Sequence, residues 1–383
     1  MSEKRTLAII YFSTVVTIGS LYAAQPIQPL FQEEFCLNRF QAILFTTLMM
    51  VPLGFAPLLY GFILESYSSK SLVRGAILFL GLLEILFASA DHYLVLLSIR
   101  AVQGLTIPAI LTSLMSYISH TSSIKNMQKA IAFYIAATII GGFLGRFLSG
   151  LLTELYNYRL FFYILGGCLV SCFFLLSTLK KDVNLHYTRP DIVQIKKILT
   201  SPQVLWIYFS IFLIFFVFSG LLNFLPFKLK QLDHSMGEAD IGLIYLGYSM
   251  GVVAAVNIPR IITLFGTAPK AAKAATLLYL IATALFLLES QWIIFGAMFV
   301  FCFGMFTVHA LLSGYVNTLA TKSKGITNGL YISFYYTGGC FGSFAPGVIY
   351  EYMGWSAFIF SLMATLLLAF VFISRIGGDG EKV

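Results

Sequence analysis

"KKDVNLHYTRPDIVQIKKILTSP", residues 180–202, is the longest polar segment in a chain of 383 residues, and it falls near the middle. On each side lie six mostly apolar runs of roughly 20 residues, the length a helix rising 1.5 Å per residue needs to cross a hydrocarbon core. The first six lie near 7–31, 40–63, 73–90, 93–118, 127–153 and 160–179. After the polar break come 203–226, 240–260, 273–289, 292–316, 327–350 and 355–375. The pattern predicts an all-α integral membrane protein with 12 transmembrane helices in two six-helix bundles. The first bundle is 1–179, the second 203–383, and 180–202 is a cytoplasmic central loop. Within that loop, Ile192 to Leu199 form a basic amphipathic piece suited to lying along the membrane surface.

Composition agrees. Hydrophobic residues make up 59% of the chain, charged residues 10%, and mean hydropathy is +0.88. A soluble domain carries far more charge, about a quarter of its residues. The net charge of +8 would suggest nucleic acid in a soluble protein, but its distribution gives it another meaning. With both termini cytoplasmic, 18 of the 24 Lys and Arg residues fall on the inner side. Four (Arg39, Arg159, Lys228, Lys230) fall outside, and Arg100 and Arg146 lie within spans. That bias is the positive-inside signature of a multi-pass protein in a bacterial-type inner membrane. Nucleic acid is excluded as a partner.

The five cysteines (Cys36, Cys168, Cys172, Cys302, Cys340) have no metal-ligand spacing and read as small hydrophobes. Neither metal nor cofactor is expected. No nucleophile–base cluster appears in the spans, so an enzyme is not expected. The phosphate-cradling pattern G-x-x-x-x-G-K-[ST] is missing from the sequence, which argues against ATP-driven pumping by this polypeptide. The basic start at Lys4 and Arg5 with the apolar stretch behind it reads as a first span rather than a cleaved leader, because Tyr22 stands where a cleavage site wants a small residue.

A charge at mid-span costs roughly 2.5 to 3.5 kcal/mol and persists where it faces a cavity or a partner. Glu84 and Arg100 lie eight residues before and after His92, the centre of the hairpin between spans three and four. Each is therefore about 12 Å from the turn, at matched depth on adjacent helices. The pair is a static structural contact, or a carboxylate that exchanges a proton or substrate for its arginine, or Glu84 faces away from the cavity. Arg146, the only formal charge from Ala130 to Thr153, sits in "GGFLGRFLSG" (141–150), where glycines permit close helix approach. It reads as a cavity cation. Gln103 is one turn from Arg100 on the same face. In span one Tyr22, Gln25 and Gln28 recur near the helical period, and Pro26 and Pro29 permit bending. His309 in span ten could relay protons or sit as a neutral hydrogen-bonded residue. Asn223, near Pro226, is a candidate cavity residue in span seven. Tyr331 and Tyr335, one turn apart in span eleven, suit an aromatic or cationic ligand.

Several motifs carry a family resemblance. "RAVQG" (Arg100 to Gly104) resembles the R-x-x-Q-G motif of the major facilitator superfamily. "GFILESYSSK" (Gly61 to Lys70) occupies the place of its G-x-x-x-D-R-x-G-R-R gating loop, with Glu65 for the acid, Lys70 as one cation, and serines at 66, 68 and 69. "PRIITLFG" (Pro259 to Gly266) stands where the second-half copy would, with Thr263 replacing the acid. "GGFLGRFLSG" looks like the span-five motif of drug/proton antiporters with Arg146 for proline and Ser149 for a glycine. "YAAQPIQPLF" (22–31), "GMFTVHALLSGYV" (304–316) and "LYISFYYTGGCFGSFAPGVIYEYMGW" (330–355) are similar to the YnfM-type, acriflavine-sensitivity branch. The resemblance covers nearly the whole chain. It implies a monomeric carrier working by alternating access, with the span-four arginine tied to proton coupling. The function expected is proton-coupled export of a small organic or amphipathic compound. The rival expectations are uptake of an organic anion, suggested by Arg100 and Arg146, and a non-transporting membrane sensor.

Overall fold

The first apolar run folds as two helices. In the computed structural model, which describes residues 3–56, 60, 68–121, 124–180, 192–319 and 324–377, α1 (Glu3–Tyr22) stops just before Pro26 and α2 (Gln28–Glu34) resumes after it. Prolines have no N–H to donate, so the ladder ends at the bond from Ala23 N to Gly19 O, 3.0 Å. Helix α3 (Arg39–Met50) starts on a capping box: the Asn38 side chain accepts from Gln41 N and the Gln41 side chain accepts from Asn38 N, both at 2.9 Å. A 3-10 turn, Pro52–Gly54, follows.

Four long helices come next: α4 (Ser69–Ser89), α5 (Tyr93–Thr121), α6 (Ile124–Leu155) and α7 (Tyr158–Ser177). The short basic helix α8 is Ile192–Leu199. After it run α9 (Pro202–Leu232), α10 (Glu238–Ile244), a 3-10 segment Tyr245–Ser249, α11 (Met250–Phe265), α12 (Ala268–Leu285), α13 (Gln291–Leu319) and α14 (Lys324–Ser374). Helix α14 is broken at Gly354, whose φ of 83° only glycine adopts without strain, and so supplies the last two apolar runs. Among the described residues, nine helices are long and apolar enough to cross a membrane, counting Ile326–Ser374 once; Arg39–Gly54 is a shorter apolar helix.

The chain divides into two compact units. One is Met1–Arg189 together with Met236–Tyr245; the other is Pro190–Ser235 together with Leu246–Val383. In the first, α4 packs against α5 and α7, α1 against α6, and α10 against α6. Aromatic rings fill one part of its core: Phe31 and Phe45 are 4.5 Å apart, Phe87 and Phe162 4.7 Å, and Phe31 meets Tyr158 edge-on at 5.0 Å. Helices α1 and α6 touch backbone to backbone. A Cβ on Gly145 would stand 2.5 Å from Gly19 Cα, and one on Gly141 2.5 Å from Val15 O. In the second unit α9 runs along α14 and α12 along α13, around Phe218, Tyr279 and Phe301.

Candidate functional site

In the first unit, α4 and α5 bring Glu84 and Arg100 to 3.9 Å, both with no exposed side-chain surface. Neither charge stands alone. The Ser20 hydroxyl, from the last turn of α1, donates to Glu84 Oε1. Arg100 Nη1 donates to Gln103 Oε1 at 3.0 Å, lies 3.1 Å from Met49 Sδ and 3.5 Å from Ser20 O. The guanidinium is also flanked by rings, 4.1 Å from the centroid of Phe87 and 4.8 Å from that of Phe162. Such contacts contribute about 2 kcal/mol each when desolvated.

Arg146 forms a second cluster in the same unit. Its Nε donates to Gln25 Oε1 and its Nη1 to Gly142 O, both at 2.6 Å. The guanidinium lies 4.1 Å from the Tyr22 ring and 5.0 Å from Tyr245. Gln25 sits in the break between α1 and α2, so the bent first span carries one of the arginine's acceptors. Ser149 fastens the same break by donating to Ala23 O at 2.6 Å. Gln28 is buried nearby in sequence, and its Nε2 donates to Thr46 Oγ1 at 3.0 Å.

The second unit holds the other candidates. His309 on α13 meets two tyrosines of α14. Tyr331 Oη lies 3.1 Å from His309 Nδ1 and 3.0 Å from His309 O, and the Tyr335 ring is 4.7 Å from the imidazole. Tyr335 stacks on Phe215 at 3.7 Å. Asn223 is buried in α9, donating to Ser219 O at 2.8 Å. Of the gating-loop residues, Lys70 Nζ donates to the carbonyls of Ser177, 2.9 Å away, and Leu179, closing the C-terminal end of α7. Gly61 and Glu65 lie outside the described residues.

Comparison with known proteins places this arrangement in a family. The model of the Major Facilitator Superfamily matches residues 10–343. The chain belongs to the Major Facilitator Superfamily. It is 25% identical over 376 residues to the inner membrane transport protein YnfM of Escherichia coli strain K12, covering 95% of this chain and 88% of that one. It is 25% identical over 367 residues to the MFS-type transporter YybF of Bacillus subtilis strain 168, covering 92% and 88%. A crystal structure of the nucleoside transporter NupG superposes with a TM-score of 0.80 at 12% identity, over 97% of this chain and 99% of that one.

The chain is thus a multi-pass membrane transport protein of the superfamily, and its activity is carriage of a small molecule rather than catalysis. Depth-matching on the hairpin brings Glu84, Arg100 and Gln103 together, and the period of span one brings Tyr22 and Gln25 to Arg146. Ser20, Met49, Phe87, Phe162 and Tyr245 escaped the sequence reading, and Ser149 entered it only as a departure from a motif. A signal existed for Ser20: Ser13, Thr17 and Ser20 recur near the helical period and are all buried. Phe87 and Phe162 had none, since 37 phenylalanines make any one of them unremarkable.

Proposed function

We propose that this chain is a proton-coupled secondary active transporter that exports a small organic or amphipathic compound across the cytoplasmic membrane by alternating access. The observation that carries this reading is the buried pair of Glu84 and Arg100 at 3.9 Å. Antiport needs a group that is charged in one state and neutral in another, at a depth each side reaches in turn. Among the described residues Glu84 is the only buried acid, and Arg100 is its cationic neighbour. His309 is the second candidate for the proton. Each unit offers its own substrate contacts: Tyr22, Gln25, Gln28, Gln103 and Arg146 in the first, Asn223, Tyr331 and Tyr335 in the second. The gating role is assigned to Gly61, Glu65 and Lys70. The protein acts as a monomer with both termini cytoplasmic. Export draws support from "GGFLGRFLSG", which resembles a drug/proton antiporter motif.

Purified protein in proteoliposomes, screened by counterflow and then challenged with an imposed pH gradient, tests this. For everted molecules an acid lumen should drive accumulation that a protonophore collapses. Accumulation indifferent to the gradient rejects proton coupling.

A second reading, uptake of an organic anion, is favoured by Arg146, whose guanidinium lies between two tyrosine rings beside an amide. A screen in which only carboxylates exchange, and an acid exterior drives them inward, would select it.

A further inference from the structure

The Glu84–Arg100 pair is loose. A charge-assisted N–H···O bond measures about 2.7–2.9 Å, whereas Arg100 Nη1 stands 3.9 Å from Glu84 Oε1 although both groups are fully buried. Burial should draw opposite charges together, so something holds the guanidinium off. Its nearer polar contacts are neutral: Gln103 Oε1 at 3.0 Å, Met49 Sδ at 3.1 Å and Ser20 O at 3.5 Å. Its flat surface is held by the rings of Phe87 and Phe162. These rings are themselves locked in the core, 4.7 Å apart and edge to face, with Phe45 and Phe31 behind Phe87. They come from two different helices, α4 and α7, and so fix the guanidinium from two sides of the core.

We propose that Phe87 and Phe162 are positioning residues that hold Arg100 back from a direct hydrogen bond with Glu84, leaving the carboxyl open to a proton. The inference rests on the coupling role proposed for Glu84 and deepens it. A tightly bonded pair would resist separation, since removing one partner leaves an uncompensated buried charge. A cation already accommodated by ring faces and neutral acceptors loses less when the acid is neutralised. Glu84 Oε2 makes no hydrogen bond with a described residue, so one oxygen stays free to take the proton. The groups that face Glu84 are the Ser20 hydroxyl from α1, and Arg100 and the Gln103 amide from α5. Helix α7 contributes the Phe162 ring, and α3 reaches Arg100 through Met49.

The test follows the proton itself and needs no substrate. Infrared difference spectroscopy on the full-length protein in proteoliposomes reads the C=O stretch of the protonated carboxyl as pH is varied, with Glu84→Gln assigning the band. Phe162→Met and Phe87→Leu should each let the guanidinium close on the carboxylate and move the midpoint to acid by about one pH unit, the equivalent of one added charge-assisted bond. Phe162→Tyr, which keeps the ring, should stay at the wild-type midpoint. Phe45→Leu, a ring of the same cluster that is not over Arg100, should stay there as well. Unmoved midpoints in both ring-removing variants overturn the proposal, and so does an equal shift in Phe45→Leu, which would mark general loosening of the core. A wild-type Glu84 band that never titrates rejects the coupling reading itself. A band that titrates without responding to the rings rejects the positioning role alone.

Discussion

Gln25 accepts a 2.6 Å hydrogen bond from Arg146 Nε, joining the break in the first span to the last third of α6. The amide is available because the chain leaves the helix before Pro26 and puts Gln25 in the break between α1 and α2, where its side chain is no longer bound to a helical face. The guanidinium lies at the same time near Tyr22 and Tyr245. That combination needs a planar cation with divergent donors, which arginine supplies and lysine does not. Arg146→Lys keeps the charge and should raise the substrate KM about tenfold, one lost hydrogen bond's worth, with normal protein yield. Wild-type KM in this variant would reduce Arg146 to a bare charge.

Glycine at 145 is a packing requirement. A side chain there would run into the backbone of Gly19, so Gly145→Leu should force α1 and α6 apart and cost about 1–3 kcal/mol or more. A Cβ on Gly75 would meet nothing within 4 Å, which makes Gly75→Ala the matched control. Thermal unfolding in detergent should show a clear drop in Tm for the first and none for the second. Equal Tm values would mean the helices tolerate separation.

Lys228 is a nearly buried cation whose acid lies in water. Its side chain is 8% exposed while its partner Glu289, 2.7 Å away, is 61% exposed, so water screens the acid but hardly reaches the cation. Glu289→Gln leaves that cation without its acid and should lower stability by about 1–3 kcal/mol, and Lys228→Met should be nearly neutral, because an apolar side chain removes the buried charge along with its pairing. A Tm loss larger for Lys228→Met than for Glu289→Gln would contradict this accounting.

Much of this was legible in the residues because membrane spans obey simple rules. The polar break at 180–202 separates the apolar runs, and the counting of eight residues either side of His92 is enough to set Glu84 level with Arg100. What counting could not give is lateral position. Arg146 shares a bundle with that pair, yet its guanidinium meets Gln25, Gly142 O and the rings of Tyr22 and Tyr245, because helix rotation decides the neighbour and depth does not. Tyr245 is distant in sequence and belongs to the short segment Met236–Tyr245 that clusters with the first unit, for which the hydropathy pattern carries no sign. The phenylalanines around Arg100 were hidden for the same reason.

Orientation rests on the bias of 18 inner against four outer cations, which only a topology experiment tests. Fluorescent reporters that mature only in the cytoplasm, fused after Asp182 and after Lys382, should both be bright. A dark fusion at either position rejects the assignment.

The proposed proton coupling gives the sharpest prediction. Net antiport requires that a carboxyl empty and refill once per cycle, whereas exchange of substrate for substrate requires no net proton movement. Glutamine at position 84 is nearly isosteric, can accept the Ser20 hydrogen bond, and is permanently neutral. Glu84→Gln should therefore lose accumulation driven by a pH gradient while keeping counterflow within about twofold of wild type, and the retained counterflow guards against simple misfolding. Arg100 would then be a buried cation without its acid, held by Phe87, Phe162 and Gln103, so some loss of Tm is expected alongside. Should the variant still concentrate substrate against its gradient, Glu84 is structural. His309, hydrogen-bonded to Tyr331 in the second unit, becomes the group to replace next.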